Sequence, residues 1–227
     1  MRNSDTAETE EYNGVEVLKT ECSALKDLEK FCNRTKPFDL IPSRESTSYG
    51  VFIETGRVKI VRISLRRPEV PASLPDSVTD LEALESLKVN EAYFVEFPTV
   101  LVKMPSLKTL KLLRCSIFSI SKEIGLMKGL EILGIPFNKI RSLPGEIGNL
   151  SSLKRLDLKR NELDSLPRSI GNLQNLEGLD VYKNKLASLP EEIGQLKLLK
   201  MLDLGHNELI TLPETIGNLR ALEDLAL

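Results

Sequence analysis

The sequence has 227 residues, of which 41% are hydrophobic, so it is large enough to bury the core of one or two domains. Its 31 basic and 33 acidic side chains give a net charge of -2, which provides no overall attraction to nucleic acid or to an anionic membrane. No apolar run approaches the roughly 18 residues of a membrane span, and the first residues lack the basic and then apolar pattern of a secretion signal. A cytoplasmic protein that contacts neither nucleic acid nor membrane is expected.

The first part of the chain is predicted to contain one helix. Residues 1–14 are acidic and polar, and we expect them to form a flexible tail. Asn13 and Glu16 have the spacing of a helix capping box, and Asn33 and Pro37 end the pattern that follows. Between them lies an apolar stripe at helical spacing: Leu18, Cys22, Leu25, Leu28 and Cys32.

A β-hairpin is predicted after the helix. Its strands are residues 49–53 and 58–65, with the turn at residues 54–57, and the second strand opens the regular part of the chain. Helix and hairpin strand, residues 15–57, are expected to cap the core at Val61, Ile63 and Leu65. The alternative, that the amphipathic helix binds a membrane or a partner, leaves that end of the core exposed.

The three cysteines are expected to be reduced thiols. Their number is odd, and the spacing of Cys22, Cys32 and Cys115 matches no metal-binding motif. A continuous helix separates Cys22 from Cys32 by roughly 15 Å, which is too far for a disulfide. No metal site and no cofactor are predicted.

Residues 58–227 repeat with a period of 23 residues, following the pattern L-x-x-L-x-L-x-x-N-x-L-x-x-L-P-x-x-I-G-x-L. An irregular first copy begins at residue 58 and is stretched to 26 residues around residues 66–71. A partial copy begins at Leu222 and stops at Leu227 without a polar cap. Seven full repeats and one partial repeat are therefore predicted. The copies that begin at Leu84 and Leu107 are degenerate, and the regular ones begin at Leu130, Leu153, Leu176 and Leu199.

Each repeat is predicted to contribute one short strand and one short turn of helix. The apolar residues alternate in the first half, so Leu156 and Leu158 point inward and Arg155, Asp157 and Lys159 point outward. The second half begins with proline and contains glycine, which favours a short helix or 3-10 turn. Stacked repeats give an α/β fold, a right-handed solenoid with a curved parallel sheet on its concave face and the short turns on its convex face.

One polar residue recurs inside every regular repeat. Buried amide side chains at this position can bond the turn backbone of their own and the adjacent repeat, which favours a structural role over a polar binding site. Cys115 occupies the same column one repeat earlier, and we expect its thiol to be buried and inert. The predicted ladder consists of Asn138, Asn161, Asn184 and Asn207.

Residues 124–227 closely resemble leucine-rich repeats of the L-P-x-x-I-G-x-L-x-x-L type, as in Leu189-Pro190-Glu191-Glu192-Ile193-Gly194-Gln195-Leu196. Repeats of this type are found in Ras-group scaffold proteins and in many prokaryotic proteins. The resemblance implies a protein-binding scaffold, with a small GTPase or a phosphatase as the partner in a signalling role. Some bacterial relatives carry a ubiquitin-ligase domain after their repeats, which leaves open that this chain is the targeting part of a larger effector or ligase.

Residues 23 apart become neighbours on the concave face, so columns of outward side chains form the surface that a partner contacts. One column is polarised, with basic residues in the early repeats and aspartates in the later ones: Arg62, Lys88, Lys111, Gly134, Asp157, Asp180, Asp203 and Ala226. The alternative is that the aspartates only follow the common Leu-Asp-Leu form of the repeat. Their mutual repulsion is expected to be offset by Arg155, Lys159, Arg160 and Lys183, whereas calcium is disfavoured because a rigid sheet offers few oxygen ligands.

Apolar and aromatic side chains are predicted to point outward in the neighbouring columns, next to arginines. Such side chains are typical anchors of protein interfaces, although single exposed apolar residues are common on any surface. The predicted partner-binding residues are Leu113, Arg114, Ile132, Phe137, Arg155, Asp157, Lys159, Arg160, Asp180, Tyr182, Lys183, Asp203 and His206.

No catalytic constellation is recognisable. The single histidine, His206, lies at a strand edge of a regular repeat, and no phosphate-binding loop or paired acid and base accompanies it. The sequence therefore predicts a non-enzymatic scaffold that holds a partner protein on its concave face. The alternative is a structural module that self-associates into a homo-oligomer through the uncapped strand at residues 222–227.

Overall fold

The computed structural model describes residues 8–33, 36, 38–44, 48–65 and 71–227, and within them the chain forms one elongated solenoid. Two short strands and a helix come first: β1 (Thr9–Tyr12), β2 (Val15–Leu18) and α1 (Lys19–Phe31). The main sheet follows: β3 (Gly50–Glu54), β4 (Arg57–Ser64), β5 (Ser86–Asn90), β6 (Thr109–Leu113), β7 (Ile132–Gly134), β8 (Arg155–Asp157), β9 (Gly178–Asp180), β10 (Met201–Asp203) and β11 (Asp224–Ala226).

The main sheet is parallel from β4 to β11, with β3 paired antiparallel to β4 at one edge. From β5 onward the paired residues lie 23 apart in sequence, for example Lys88 with Lys111 and Asp157 with Asp180. Each parallel strand returns to the next through a five-residue 3-10 helix on the convex side. These are η1 (Asp76–Asp80), η2 (Thr99–Lys103), η3 (Lys122–Leu126), η4 (Gly145–Asn149), η5 (Arg168–Asn172), η6 (Glu191–Gln195) and η7 (Glu214–Asn218).

The core lies between the sheet and the 3-10 helices and follows the predicted alternation. Leu156 and Leu158 are buried, whereas Arg155 is exposed and Asp157 and Lys159 are half-buried on the outer face. Burial of the repeated leucines supplies the main stabilising free energy, because each fully buried leucine contributes about 1.5 to 3 kcal/mol. The predicted solenoid with a curved parallel sheet is confirmed.

The convex turns are short because of the proline and the glycine in each repeat. Pro144 precedes η4 with φ -67° and ψ 149°, an extended conformation that proline readily adopts. A Cβ atom on Gly148 would lie 2.4 Å from the carbonyl oxygen of Ser169 in the next repeat. The glycine therefore permits close stacking of successive turns, which explains its recurrence better than helix propensity does.

The N-terminal region differs from the sequence prediction at two points. The predicted flexible tail, residues 1–14, is wrong from Thr9 onward, because β1 pairs antiparallel with β2. The predicted capping box is also wrong: Asn13 and Gly14, at φ 50° and 83°, form the hairpin turn, and α1 begins at Lys19 without a side-chain cap. A two-residue Asn-Gly turn matches the twist of paired strands and therefore prevails over a helix start here. Residues 1–7 of the tail and 66–70 of the stretched first repeat lie outside the described residues.

The hairpin β1–β2 and α1 together cap the first repeat. The helix buries Cys22, Leu25 and Leu28 and packs mainly against η1, so the expectation that it lies over Val61 and Ile63 of β4 is only partly met. Cys22 and Cys115 are buried, and Cys32 is half-buried.

A buried carboxylate joins the cap to the solenoid. Glu21 of α1 is fully buried, accepts a hydrogen bond from the Val58 backbone N–H at 2.8 Å and pairs with Arg57 Nε at 2.7 Å. Burial of an unpaired carboxylate would be strongly unfavourable, so these two donors make the position tolerable. No sequence pattern predicts this contact.

Candidate partner-binding face

One row of outward residues crosses the main sheet from β4 to β11 and defines the site. We call it the charged row; its residues are Arg62, Lys88, Lys111, Gly134, Asp157, Asp180, Asp203 and Ala226. Adjacent members lie on strands about 4.8 Å apart. Its basic end is Arg62, Lys88 and Lys111, and its acidic end is Asp157, Asp180 and Asp203.

The carboxylates of the acidic end accept hydrogen bonds from the protein's own backbone. Each carboxylate accepts a hydrogen bond from the backbone N–H two residues further on: Asp157 from Lys159 at 3.2 Å, Asp180 from Tyr182 at 3.1 Å and Asp203 from Gly205 at 3.0 Å. These bonds close the turn that follows each strand. The aspartates therefore have a structural role in these turns, which accounts for the common Leu-Asp-Leu form of the repeat.

Lys159 bridges two of the aspartates. Its Nζ lies 3.3 Å from Asp157 and 3.4 Å from Asp180, and it is the one basic side chain within 4.0 Å of either carboxylate in the described part of the chain. The expected contributions of Arg155, Arg160 and Lys183 are thus not seen. Burial raises the pKa of Asp157 more than the Lys159 N–H and ammonium lower it. Burial opposes the charge on Lys159, but the two carboxylates outweigh it and raise its pKa.

A stack of aromatic and cationic side chains runs beside the acidic end. The Arg114 guanidinium lies 4.9 Å from the Phe137 ring centroid, and Arg160 lies 5.1 Å from Phe137 and 5.8 Å from Tyr182. His206 meets Tyr182 edge-on, with ring centroids 5.0 Å apart. We call these five residues the aromatic ladder. The sequence analysis predicted each of them at the site but not their contacts with one another.

Four members of the aromatic ladder share an unusual backbone conformation. Arg114, Phe137, Arg160 and His206 have φ angles of 54°, 57°, 54° and 56°. Lys183, another predicted site residue, has φ 55° in the same column. Residues with a Cβ rarely adopt this left-handed region, and bulky ones least of all. The sharp turn after each strand requires it, and it directs these side chains along the rim of the concave face.

A depression lies between the two ends of the charged row at Gly134. It has a volume of about 330 Å³, and apolar groups of Leu113, Ile132, Pro136 and Met201 contribute to its walls. A Cβ on Gly134 would approach no atom closer than 3.5 Å, so packing does not demand a glycine there. The missing side chain opens the depression. Leu113 and Ile132 were predicted as site residues, whereas the depression itself was not.

The asparagine column lies beneath this face. Asn161 accepts a hydrogen bond from the Ile140 N–H at 3.1 Å and donates to the carbonyls of Ile135 and Leu158, both at 2.9 Å. The other predicted asparagines of this column form equivalent bonds to the backbone of their own and the preceding repeat: Asn138, Asn184 and Asn207. These amides hold the strand ends in register under the aromatic ladder.

Cys115 replaces asparagine in the same column. It is fully buried, and its thiol lies 3.4 Å from the carbonyl oxygens of Val89 and Leu113. Burial raises the pKa of this thiol to about 12, so little reactive thiolate is present at neutral pH. The geometry agrees with a small structural residue.

The described ranges, residues 8–33, 36, 38–44, 48–65 and 71–227, lack two further features. There, no three His, Cys, Asp or Glu side chains come close enough together to hold a metal ion. No helix within those ranges is long and apolar enough to cross a bilayer.

A solenoid of 23-residue repeats with a parallel sheet, convex 3-10 turns and a buried asparagine column is the architecture of leucine-rich-repeat proteins. The chain belongs to this family. The family model for the leucine rich repeat matches residues 128–186 and 174–227. No curated protein matched the sequence.

Solved structures of leucine-rich-repeat proteins are similar over about three-quarters of the chain. A leucine-rich-repeat protein of Leptospira interrogans is 35% identical, with a TM-score of 0.66, over 74% of this chain and 42% of its own. The Arabidopsis receptor kinase HAESA is 26% identical, with a TM-score of 0.62, over 76% of this chain and 30% of its own. PEPR1, in the PEPR1–AtPEP1 structure, is 26% identical, with a TM-score of 0.65, over 79% and 26%. The chain thus spans less than half the length of these neighbours.

Proposed function

We propose that this chain is a non-enzymatic scaffold that binds a partner protein or peptide on its concave face, with the aromatic ladder as the main anchor. The contact of Phe137 with Arg114 and Arg160 carries the proposal. Aromatic and arginine side chains dominate the binding energy of protein interfaces, because they present large rigid surfaces with polar edges. The depression at Gly134 lies next to the ladder and offers a recess for one partner side chain.

The backbone of the column that contains Phe137 supports this proposal. Glycine would adopt the left-handed conformation with the least strain, yet this column carries Arg114, Phe137, Arg160, Lys183 and His206. These side chains add strain without filling the core, so we infer that their value lies at the surface.

The solved neighbours support the same class of function. HAESA was solved in complex with the peptide hormone IDA and the co-receptor SERK1. Binding of a peptide or protein partner is therefore compatible with this type of solenoid. For this chain, a small GTPase or a phosphatase as the partner, in a cytoplasmic signalling pathway, is a finer proposal that rests on the sequence resemblance alone.

Affinity capture with matched variants tests the proposal. Phe137→Ala combined with Tyr182→Ala removes both rings of the aromatic ladder, and captured partners are expected to be lost or reduced at least tenfold. Leu126→Ala combined with Leu198→Ala is the control, because these exposed apolar side chains lie outside the concave sheet at 65% and 48% exposure. Equal capture by the ladder variant and the native chain, with both folded, would refute the proposal.

Self-association is the second candidate function, favoured by the apolar surface beyond β10. Ile210 is 88% exposed, Leu227 73% and Leu225 40%, and β11 presents an unpaired strand edge. Exposed edges and apolar patches of this kind readily pair with a second copy. Light scattering over a wide concentration range decides: a purely monomeric chain, unaffected by Leu225→Glu, removes this candidate.

A further inference from the structure

The basic end of the charged row is a cluster of three cationic side chains. Lys88 lies between Arg62 and Lys111 in the strand register, so three cationic side chains stand on adjacent strands about 4.8 Å apart. Within the described residues, no carboxylate lies within 4.0 Å of any of the three. Burial lowers the pKa of Lys88, and repulsion by Lys111 and Arg62 lowers it further. The charge on Lys88 is therefore unfavourable in the free protein.

Arg62 retains unused donor capacity. Its Nη2 donates to the carbonyl oxygen of Arg44 at 3.2 Å, but its Nη1 is buried and has no hydrogen-bond partner among the described residues. A buried unpaired donor is costly, and a guanidinium with a free donor is suited to a carboxylate. Arg62 also lines the same open cavity as Lys88 and Lys111, so its guanidinium adds to the positive charge of that cavity.

The acidic side chains nearby are already engaged. Glu85 accepts from Arg44 at 2.7 Å and lies 3.3 Å from Lys59, and Glu131 pairs with Lys154 at 2.7 Å. Both line the same open cavity of about 480 Å³ as the basic end. The cavity therefore has a basic excess that no described side chain neutralises, unlike the acidic end, where backbone N–H groups and Lys159 compensate the charge.

We propose that the basic end receives an acidic, extended segment of the partner protein, with two carboxylates at alternate positions, Asp/Glu-x-Asp/Glu. Alternate side chains of an extended chain lie about 6.6 Å apart, so two carboxylates can settle among three cations on strands about 4.8 Å apart. The first carboxylate meets Arg62 and Lys88, and the second meets Lys88 and Lys111. This deepens the proposed function and rests on it, since it sets the partner's acidic part toward β4 and its anchor toward the aromatic ladder.

Fluorescence anisotropy with a labelled synthetic peptide tests the proposal on the full chain. The probe is Glu-Ala-Glu-Ala-Glu-Ala, and Gln-Ala-Gln-Ala-Gln-Ala is its uncharged counterpart. The glutamate peptide is expected to bind at least tenfold more tightly than the glutamine peptide at low salt, and to weaken as ionic strength rises. Vesicles containing phosphatidylserine and a single-stranded oligonucleotide serve as the other anionic ligands.

Matched variants distinguish binding at the basic end from attraction by the overall charge of the protein. Lys88→Gln with Lys111→Gln is expected to weaken the glutamate peptide roughly tenfold or more, without lowering the midpoint of thermal unfolding. Lys103→Gln with Lys128→Gln makes the same charge change at exposed lysines that lie outside the concave sheet, and it should leave binding within about twofold.

Three results would overturn the proposal. They are equal binding of the two peptides, equal weakening by both lysine pairs, and tighter binding of vesicles or oligonucleotide than of the glutamate peptide. The Phe137 and Tyr182 variants distinguish this failure from failure of the proposed function, because partner capture can depend on the aromatic ladder when the peptide does not bind.

Discussion

The two ends of the charged row occupy equivalent positions in successive repeats but are stabilised in opposite ways. At the acidic end, Asp157, Asp180 and Asp203 accept backbone N–H groups, and Lys159 joins the first two. At the basic end, Lys88 and Lys111 have no acidic partner in the described part of the chain. The charge of a side chain therefore does not reveal whether a partner must neutralise it; the local contacts do.

This difference assigns the two ends different roles. Carboxylates satisfied within the molecule stabilise the turns under the aromatic ladder, and their removal should reduce stability first. Cations without a counter-charge destabilise the free protein slightly, and their removal should reduce binding first. The predictions below test this contrast.

The largest expected change in the free energy of unfolding comes from a substitution at the acidic end. Asp180→Ala removes the acceptor of the Tyr182 N–H and one of the two carboxylates around Lys159. Because hydrogen bonds to charged groups contribute about 1.5 to 3 kcal/mol, we expect the free energy of unfolding to fall by about 2 kcal/mol. Urea denaturation measures the change.

Asp180→Asn is the matched control, because an amide oxygen can still accept the Tyr182 N–H while the charge is lost. It should recover about half of the stability that alanine loses. Alanine and asparagine variants as stable as the native chain would show that the acidic end is free surface, and the contrast between the two ends would disappear.

The second prediction concerns the column that the acidic end supports. Phe137 has φ 57°, where glycine is unstrained and alanine is not. Phe137→Gly should therefore be about 1 kcal/mol more stable than Phe137→Ala, although both lose the aromatic anchor. Urea denaturation gives the stability difference and capture assays give the binding. If Phe137→Gly captured the partner as well as the native chain while Phe137→Ala did not, capture would depend on stability and not on the aromatic ring. That result would contradict the role of the aromatic ladder as an anchor.

The sequence predicted the solenoid well because its signals are local and repeated. The alternation that buries Leu156 and Leu158 recurs every 23 residues, and that agreement among repeats fixes the strand register. The N-terminal hairpin was missed because Asn13 and Glu16 satisfy one local rule while Asn13 and Gly14 satisfy another. The pairing of β1 with β2, which the Asn-Gly turn permits, decides between them.

The sequence predicts which residues share the concave face, but not the contacts that these residues make. Columns place Phe137 and Tyr182 on one face, but the position of Arg160 over both rings depends on the turn geometry after each strand. The role of the aspartates likewise depends on backbone N–H groups whose direction no sequence pattern gives. The sequence does contain one sign of the depression, because Gly134 occupies an outward strand position. That glycine predicts an open depression only when its neighbours Lys111 and Asp157 are known.

Gly134 lies between the two ends of the charged row, so a charge introduced at this position changes the basic end directly. Gly134→Glu adds a carboxylate whose Cβ lies 3.5 Å from Lys111 Cγ, without a steric clash. It should neutralise part of the basic end and, by replacing a strand glycine, raise stability by about 0.5 to 1 kcal/mol. The glutamate peptide should bind several-fold more weakly. Gly134→Gln, without the charge, should give the same stability gain from the backbone but weaken the peptide less.

The smallest expected effect is at the basic end itself. Lys88→Gln removes a charge whose pKa is lowered by burial and by repulsion from Lys111 and Arg62. Since the lysine is only partly buried and solvent screens the repulsion, we expect a gain of a few tenths of a kcal/mol in the free energy of unfolding. Lys103→Gln, at an exposed lysine outside the concave sheet, should give no gain.

The pH dependence of that gain identifies its cause. The pKa of Lys88 is lower in the folded than in the unfolded chain, so its charge destabilises the fold fully below the folded pKa. As pH rises through the folded pKa toward the unfolded one, the folded chain releases this proton first, and its stability increases relative to the Lys88→Gln variant. The difference between the two chains should therefore be largest at neutral pH and shrink in alkaline solution. A difference that stays constant up to the alkaline range, in denaturation measured at several pH values, would mean that the charge on Lys88 is not what destabilises the basic end.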